Sequence, residues 1–203
     1  MTDTARLADL GTATICEAVA EARLLDAPLR PLAPGMRLAG PARTVRCRPG
    51  DNLALHRVIA AGGPGEVLVV DYGANTQSGP FGEIMALACM QRGIAGLVID
   101  GAVRDSAQII EMGFPVFARG LNIRGTVKED RGDLDIPLEI GGARVRSGDL
   151  VVADDDAVIV LPAGSGEAAT RAAEARAATE TRVMERLRAG ETTLQILGLN
   201  RED

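Results

Sequence analysis

At 203 residues the chain is long enough for one domain with a sizeable core, and 46% hydrophobic residues make it globular rather than disordered. A net charge of −6 and only 2% aromatics argue against nucleic acid, which asks for a positive footprint and stacking surfaces. No basic-flanked apolar leader opens the sequence, and no apolar run approaches the ~20 residues that span a bilayer, so a cytoplasmic protein without a membrane partner is expected.

Residues 3–25 read as helical, with Ile15, Val19 and Leu24 among the apolar positions and Asp3 or Thr4 as a possible cap. A Pro/Gly-rich connection follows over 32–40. Residues 42–48 resemble a half-exposed strand, and Pro49-Gly50-Asp51 turns into a helix with Asp51 a plausible N-cap. Residues 67–71 (VLVVD) form a buried strand, followed by a long polar loop over 72–80. A helix over 82–92 ends at Gly93, a good C′ residue. Residues 97–100 (LVID) form the next strand, and a tight turn ends in Arg104-Asp105.

The second half is a cluster of short apolar strands, at 116–118, 123–128, 136–140, 143–145, 150–153 and 158–161. Gly141-Gly142 signals a hairpin, and Gly148-Asp149 marks another turn. Residues 164–189 form a long, charged, Ala-rich helix, poorly suited to the core of its own domain, and a short apolar segment over 194–199 closes the chain. Helix–strand alternation followed by a strand cluster implies a layered α/β fold with mixed sheets.

The chemistry concentrates at residues 81–105. A cation and a carboxylate sit side by side past the carboxyl end of a strand, where open α/β sheets place ligands. The helix N-terminus at Gly82 adds free N–H donors facing the same pocket. Such a set suits a small anionic substrate beside a divalent metal, although an Arg-Asp dipeptide at a strand end is commonly an ion pair or a turn cap. Cys16, Cys47 and Cys89 are odd in number and widely spaced, which favours buried apolar residues over a disulfide framework or a cysteine zinc site. His56 is the sole histidine; it either packs at a helix face or takes part in the chemistry, and a zinc-hydrolase site lacks its histidine pair. The run Asp154-Asp155-Asp156 resembles a metal cluster but lies where a turn belongs. Arg43, Arg46 and Arg48 either guide anions or form a solvated strand face.

The segments GDNLALHRVI (50–59), PGEVLVVD (64–71), FGEIMALACMQRGIAGLVIDGAVRD (81–105), GFPVFARG (113–120), GTVKE (125–129) and SGDLVVADDDAVIVLP (147–162) together resemble the RraA-like family. The tail over 184–199 is similar to its 4-hydroxy-4-methyl-2-oxoglutarate / 4-carboxy-4-hydroxy-2-oxoadipate aldolase branch. The resemblance covers roughly residues 5–200. It implies a swivelling β/β/α fold in one domain over 1–203, and a trimer, possibly stacked into a hexamer. The helical tail over 164–203 would pack on a neighbouring subunit, with sites between subunits. It further implies a class II aldolase that releases pyruvate and also decarboxylates oxaloacetate. In this frame an acidic residue, Glu83, is separated by twenty intervening residues from Arg104-Asp105, and the resemblance implies that it shares the catalytic work with them. The amides of Gly82, Glu83, Ile84 and Met85 would hold the substrate carboxylate. Arg104 would bind the keto acid, and Asp105 would hold Mg²⁺ or Mn²⁺. Glu180 of the terminal helix, or else Glu185, would reach a neighbour's site. Gln108 replaces an acidic residue common in the family, which removes a negative charge near the metal. Two alternatives stand beside this reading: a protein-binding regulator of ribonuclease E, as other family members are, and a lyase for another hydroxy acid. The family's older label of menaquinone methyltransferase finds no adenosylmethionine-binding glycine loop here.

A metal route also asks less of the sequence than a Schiff base, for which the single lysine, Lys128, would be needed.

Overall fold

A computed structural model describes residues 4–199. In chain order the elements are α1 (Thr4–Leu10), α2 (Thr12–Ala18), β1 (Arg23–Leu24), β2 (Arg30–Pro31), β3 (Leu38–Arg46), α3 (Leu53–Ala61), β4 (Val67–Asn75), α4 (Glu83–Gln91) and β5 (Gly96–Val103). They continue with α5 (Ser106–Glu111), β6 (Val116–Leu121), β7 (Asp133–Leu134), β8 (Leu138–Ile140), β9 (Ala143–Val145), β10 (Leu150–Ala153), β11 (Val158–Leu161), α6 (Gly166–Arg188) and α7 (Thr193–Ile196).

One sheet runs in the order β1-β11-β10-β3-β4-β5-β6-β2, with β7 also paired to β3. β3 joins its two halves. Residues 38–41 pair antiparallel with β10, and residues 42–46 pair parallel with β4. In the parallel half, β3-β4-β5-β6, the central strands β4 and β5 are apolar on both faces over 67–70 and 96–99, as strands covered on both sides must be, while β3 carries Arg43, Thr44 and Arg46. Side chains alternate between two cores with the period of a strand. Leu68, Val70, Leu97, Ile99, Val116 and Ala118 face α3, α4 and α5. Val67, Val69, Val98 and Phe117 face the β8–β9 hairpin and one side of β10–β11. The other side of β10–β11 packs on α1, α2 and the start of α6. The layering is therefore β/β/α, the expected fold class.

Several elements differ from their sequence reading. The single helix expected over 3–25 is two helices that end at Ala18, because Gly11 takes φ 80°, which an L side chain rarely adopts, and breaks the first from the second, while Leu24 lies instead in β1, paired with β11; Asp3 lies outside the described residues. β4 runs on through the expected loop to Asn75, and β5 runs three residues past Asp100, both carried by sheet pairing across an irregular register. Residues 123–128 form no strand. They leave the sheet edge with Ile123 91% exposed and touch α3's entrance through one isolated bridge, Asp51↔Val127. α3 begins at Leu53 with Asn52 at the cap position, so Asp51 acts one residue early, accepting the Leu53 N–H at 2.8 Å. α6 does enter a core, since Ala169 and Ala173 are buried against α1 and α2; its length beyond is largely exposed. Cys47 and Cys89 are buried, but Cys16 is exposed.

Candidate active site

The carboxyl ends of the parallel strands gather the polar residues. β5 delivers Arg104-Asp105, and Asp105 turns the chain into α5 with φ 56° and ψ 38°, a left-handed conformation that aspartate tolerates better than most residues. Beside it, Phe81 O accepts the Arg104 N–H at 2.9 Å, which pins the loop before α4 against the end of β5. Gly82 makes that contact possible: a β-carbon there would lie 2.3 Å from Asp105 Oδ2 and 3.0 Å from Arg104 Cγ.

A cavity of about 130 Å³ opens here, lined by Asn52, His56, Pro80, Gly82, Ile84, Met85, Arg104, Asp105 and Lys128. Five of the residues expected from sequence thus meet in one place. The structure adds Asn52 and His56 from α3's start and Lys128 from the 123–128 crossing. All three lie in segments that carry the family resemblance, GDNLALHRVI and GTVKE, and His56 and Lys128 are the sole histidine and lysine, but no spacing in the sequence ties them to Arg104-Asp105. The Lys128 cation is near enough, together with burial as the larger cause, to hold the His56 pKa below its ordinary value. Asn52 is buried, with Nδ2 donating to Pro80 O at 2.9 Å.

The helix amides differ from expectation in detail. Glu83 N–H donates to Asp105 Oδ2 at 3.1 Å, and Met85 N–H to Gly82 O at 3.0 Å. Among the described residues the N–H groups of Gly82 and Ile84 have no acceptor, so two of the four remain for a ligand. The Glu83 side chain is exposed and does not line the cavity. Gln108 sits exposed on α5, also outside the lining. Glu180 lies on α6, where its carboxylate accepts Arg176 Nε at 2.8 Å, and it lines a groove between α6 and α7. Glu185 shares that helix. Within one chain neither reaches the cavity, so a part at the site would have to come from another copy.

Arg104 Nε stands 3.6 Å from Asp105 Oδ2, with the two side chains 37% and 41% exposed. Asp105 is held through Oδ2, while Oδ1 accepts no hydrogen bond from the described residues. One oriented carboxylate with space for water is a donor set that fits Mg²⁺ or Mn²⁺, which bind few carboxylates and retain waters. No group of three or more His, Cys, Asp or Glu among the described residues could hold a metal ion by itself. Arg43, Arg46 and Arg48 are committed to carboxylates, with Arg43 on Glu66 and Asp135, Arg46 on Asp71, and Arg48 on Asp51 and Glu129. The Asp154–Asp156 run is a turn: Asp154 accepts the N–H groups of Thr12, Asp156 and Ala157. No helix among the described residues is long and apolar enough to cross a membrane.

Comparison with known proteins agrees with this architecture. A Halalkalibacterium halodurans protein, provisionally named a 4-hydroxy-4-methyl-2-oxoglutarate aldolase, is 36% identical over 156 residues, which cover 77% of this chain and 74% of that protein. An uncharacterized protein from Pseudomonas syringae superposes with a TM-score of 0.85 at 28% identity, covering 95% of this chain and 91% of the other. The RNA-processing inhibitor RraA from Thermus thermophilus superposes with a TM-score of 0.67 at 30% identity, covering 80% and 94%. Residues 12–160 match the family pattern described as Aldolase/RraA, and the chain belongs to that RraA-like family.

Proposed function

We propose that the chain is a divalent-metal-dependent lyase. Its substrates would be branched hydroxy-keto diacids, 4-hydroxy-4-methyl-2-oxoglutarate or 4-carboxy-4-hydroxy-2-oxoadipate, cleaved to pyruvate and a second keto acid. The observation that carries this reading is the convergence of Arg104, Asp105, Lys128 and two unpaired helix N–H groups on one small cavity.

Cleavage removes the proton of the C4 hydroxyl and breaks the C3–C4 bond. The electron pair moves onto the C2 carbonyl oxygen as an enolate, and protonation at C3 then gives pyruvate. The site must therefore grip carboxylates and favour negative charge at the C2 oxygen. The N–H groups of Gly82 and Ile84 hold the keto-acid carboxylate at the positive end of α4. Arg104 donates to the same carboxylate or to the C2 oxygen and stays cationic throughout, so its stabilisation grows as the enolate forms. Lys128 supplies a second cation for the distal carboxylate. The apolar surfaces of Pro80, Ile84 and Met85 limit water around the reacting carbons. Asp105 would hold Mg²⁺ or Mn²⁺, whose contribution when bound is polarisation of the keto oxygen. Loss of carbon dioxide from oxaloacetate passes through the same pyruvate enolate, so one site would serve both reactions.

This reading includes a homotrimer or hexamer. Exposed Ile84, Leu87 and Met90 on α4 and Met184, Leu187, Leu194 and Leu197 on the tail support such an assembly, because apolar patches of this kind favour being covered. Glu180 or Glu185 of a neighbour would then complete the site.

The test is pyruvate release from the two hydroxy-keto diacids and oxaloacetate, with Mg²⁺ and with EDTA. Chelator-sensitive release is expected; silence on all three from folded, metal-supplied protein overturns the proposal. The likeness to the Thermus thermophilus inhibitor supports a second reading, a protein-binding regulator of ribonuclease E. Capture of the purified ribonuclease that is indifferent to EDTA, from protein without lyase activity, would select it.

A further inference from the structure

Lys128 lies on a segment with almost no sheet pairing of its own, yet its neighbours on both sides are tied down. Before it, Val127 N–H donates to Gly50 O at 3.0 Å, and Val127 O accepts the Asn52 N–H at 3.0 Å. After it, Asp51 Oδ2 accepts the N–H groups of Glu129 at 2.8 Å and Asp130 at 2.9 Å. Asp51 is 1% exposed. Its Oδ1 accepts Leu53 N–H at 2.8 Å, and Arg48 Nη2 stands 3.3 Å from Oδ2. The same Arg48 lies 3.6 Å from Glu129 Oε2.

Burying a carboxylate is costly unless nearly every lone pair is matched, and here the matching donors are the backbone of the lysine-bearing segment. A helix start alone would not need this arrangement, since a serine or asparagine can satisfy the Leu53 N–H without a buried charge. The two N–H groups are not in any strand or helix, and Asp51 is the acceptor that holds them. Meanwhile the lysine side chain lines the cavity and forms no ion pair among the described residues.

We propose that Asp51 is the positioning residue for Lys128. Through the backbone on either side, the Gly50-Asp51-Asn52 segment fixes where the ammonium stands and thereby the grip on the second carboxylate of a diacid substrate. This rests on the lyase reading for the identity of the substrate, but not for the placement of the lysine.

The full-length protein with Mg²⁺ is compared as wild type, Asp51→Asn, Lys128→Met and the double variant. Asp51→Asn is expected to raise KM for 4-hydroxy-4-methyl-2-oxoglutarate about tenfold with a smaller change in kcat, and to add nothing further, within about twofold, once Lys128 is methionine. Losses that multiply in the double variant overturn the proposal. Calorimetric binding gives a readout independent of turnover. In Asp51→Asn the affinity for 2-oxoglutarate, with two carboxylates, should fall about tenfold, while that for pyruvate, with one, should hold. Equal weakening of both, or of neither, overturns it. A wild-type protein that binds both acids but cleaves no diacid would sink the lyase reading and leave this comparison intact. Should Asp51→Asn not fold, Asp51→Ser, which still accepts one N–H, is held to the same criteria.

Discussion

Two turns of this chain place an aspartate just past a strand of the main sheet, Asp105 after β5 and Asp154 after β10. Asp154 is consumed by its own chain. Its Oδ2 accepts Thr12 N–H at 2.7 Å, and its Oδ1 accepts the Thr12 hydroxyl at 2.7 Å and the Asp156 N–H at 3.0 Å. Burial by itself would raise its pKa, but these donors outweigh burial and hold it below the ordinary value. The residue ties α2 to the β10–β11 turn, a job that ends inside the molecule. Asp105 takes one N–H, keeps an oxygen open, and faces a cavity beside an arginine. Three consecutive aspartates look more like a metal site than one does, yet it is the lone aspartate that lines a cavity with one oxygen unpaired among the described residues. What distinguishes the two turns is whether the carboxylate is saturated, not how many carboxylates lie in a row.

That contrast breaks first at the open turn. Arg104→Ala and Asp105→Ala should each lower kcat/KM for pyruvate release by about 10²–10³-fold, the range for removing a preorganised charge-stabilising group, with folding retained by circular dichroism. Near-normal turnover in both would remove this turn from the chemistry. Gly82→Ala should cost up to about 10²-fold, because its β-carbon would displace the Asp105 carboxylate from 2.3 Å away; unchanged kinetics would mean that the close approach has no role. At the closed turn the pattern inverts. Asp154→Ala should cost about 1–3 kcal/mol in urea denaturation by stranding the Thr12 donors, with turnover per folded molecule unchanged.

Acid sharpens the comparison further. For Asp51, burial would raise the pKa, but the N–H groups of Leu53, Asp130 and Glu129 and the Arg48 charge bring it from 3.8 down to about 2. A folded pKa below the unfolded one means that this stabilisation is complete above about pH 4 and lost as pH falls toward 2. Asp51→Asn should therefore flatten the pH dependence of stability in that window, read from denaturation at successive pH values. The smallest expected effect is on His56. Removing the nearby charge in Lys128→Met should move its pKa upward in an NMR titration; no movement would separate the two residues in space.

Much of the fold was legible as local pattern. Val/Ile-rich runs gave β4, β5, β10 and β11, Gly141-Gly142 gave the β8–β9 hairpin, and Gly82 and Gly93 framed α4. The two-residue strands β1, β2 and β7 were not legible, because sheet pairing defines them and their side-chain pattern does not. Nor was the end of β5, which pairing with β6 extends to Val103.

The sequence by itself determined which residue types could do chemistry and where one strand would present them, because the start of α4 and Arg104-Asp105 lie at the two ends of a single helix–strand–turn stretch. Tertiary structure decided their company. Asn52, His56 and Lys128 come from segments that meet only because β3 and β4 pair in parallel and the 123–128 crossing ties back to Asp51. It also decided which donors stay free, since Glu83 N–H is spent on Asp105 while those of Gly82 and Ile84 are not. Hydrophobic period reports the face a side chain turns to; it carries no record of which distant backbone groups will saturate a given polar atom.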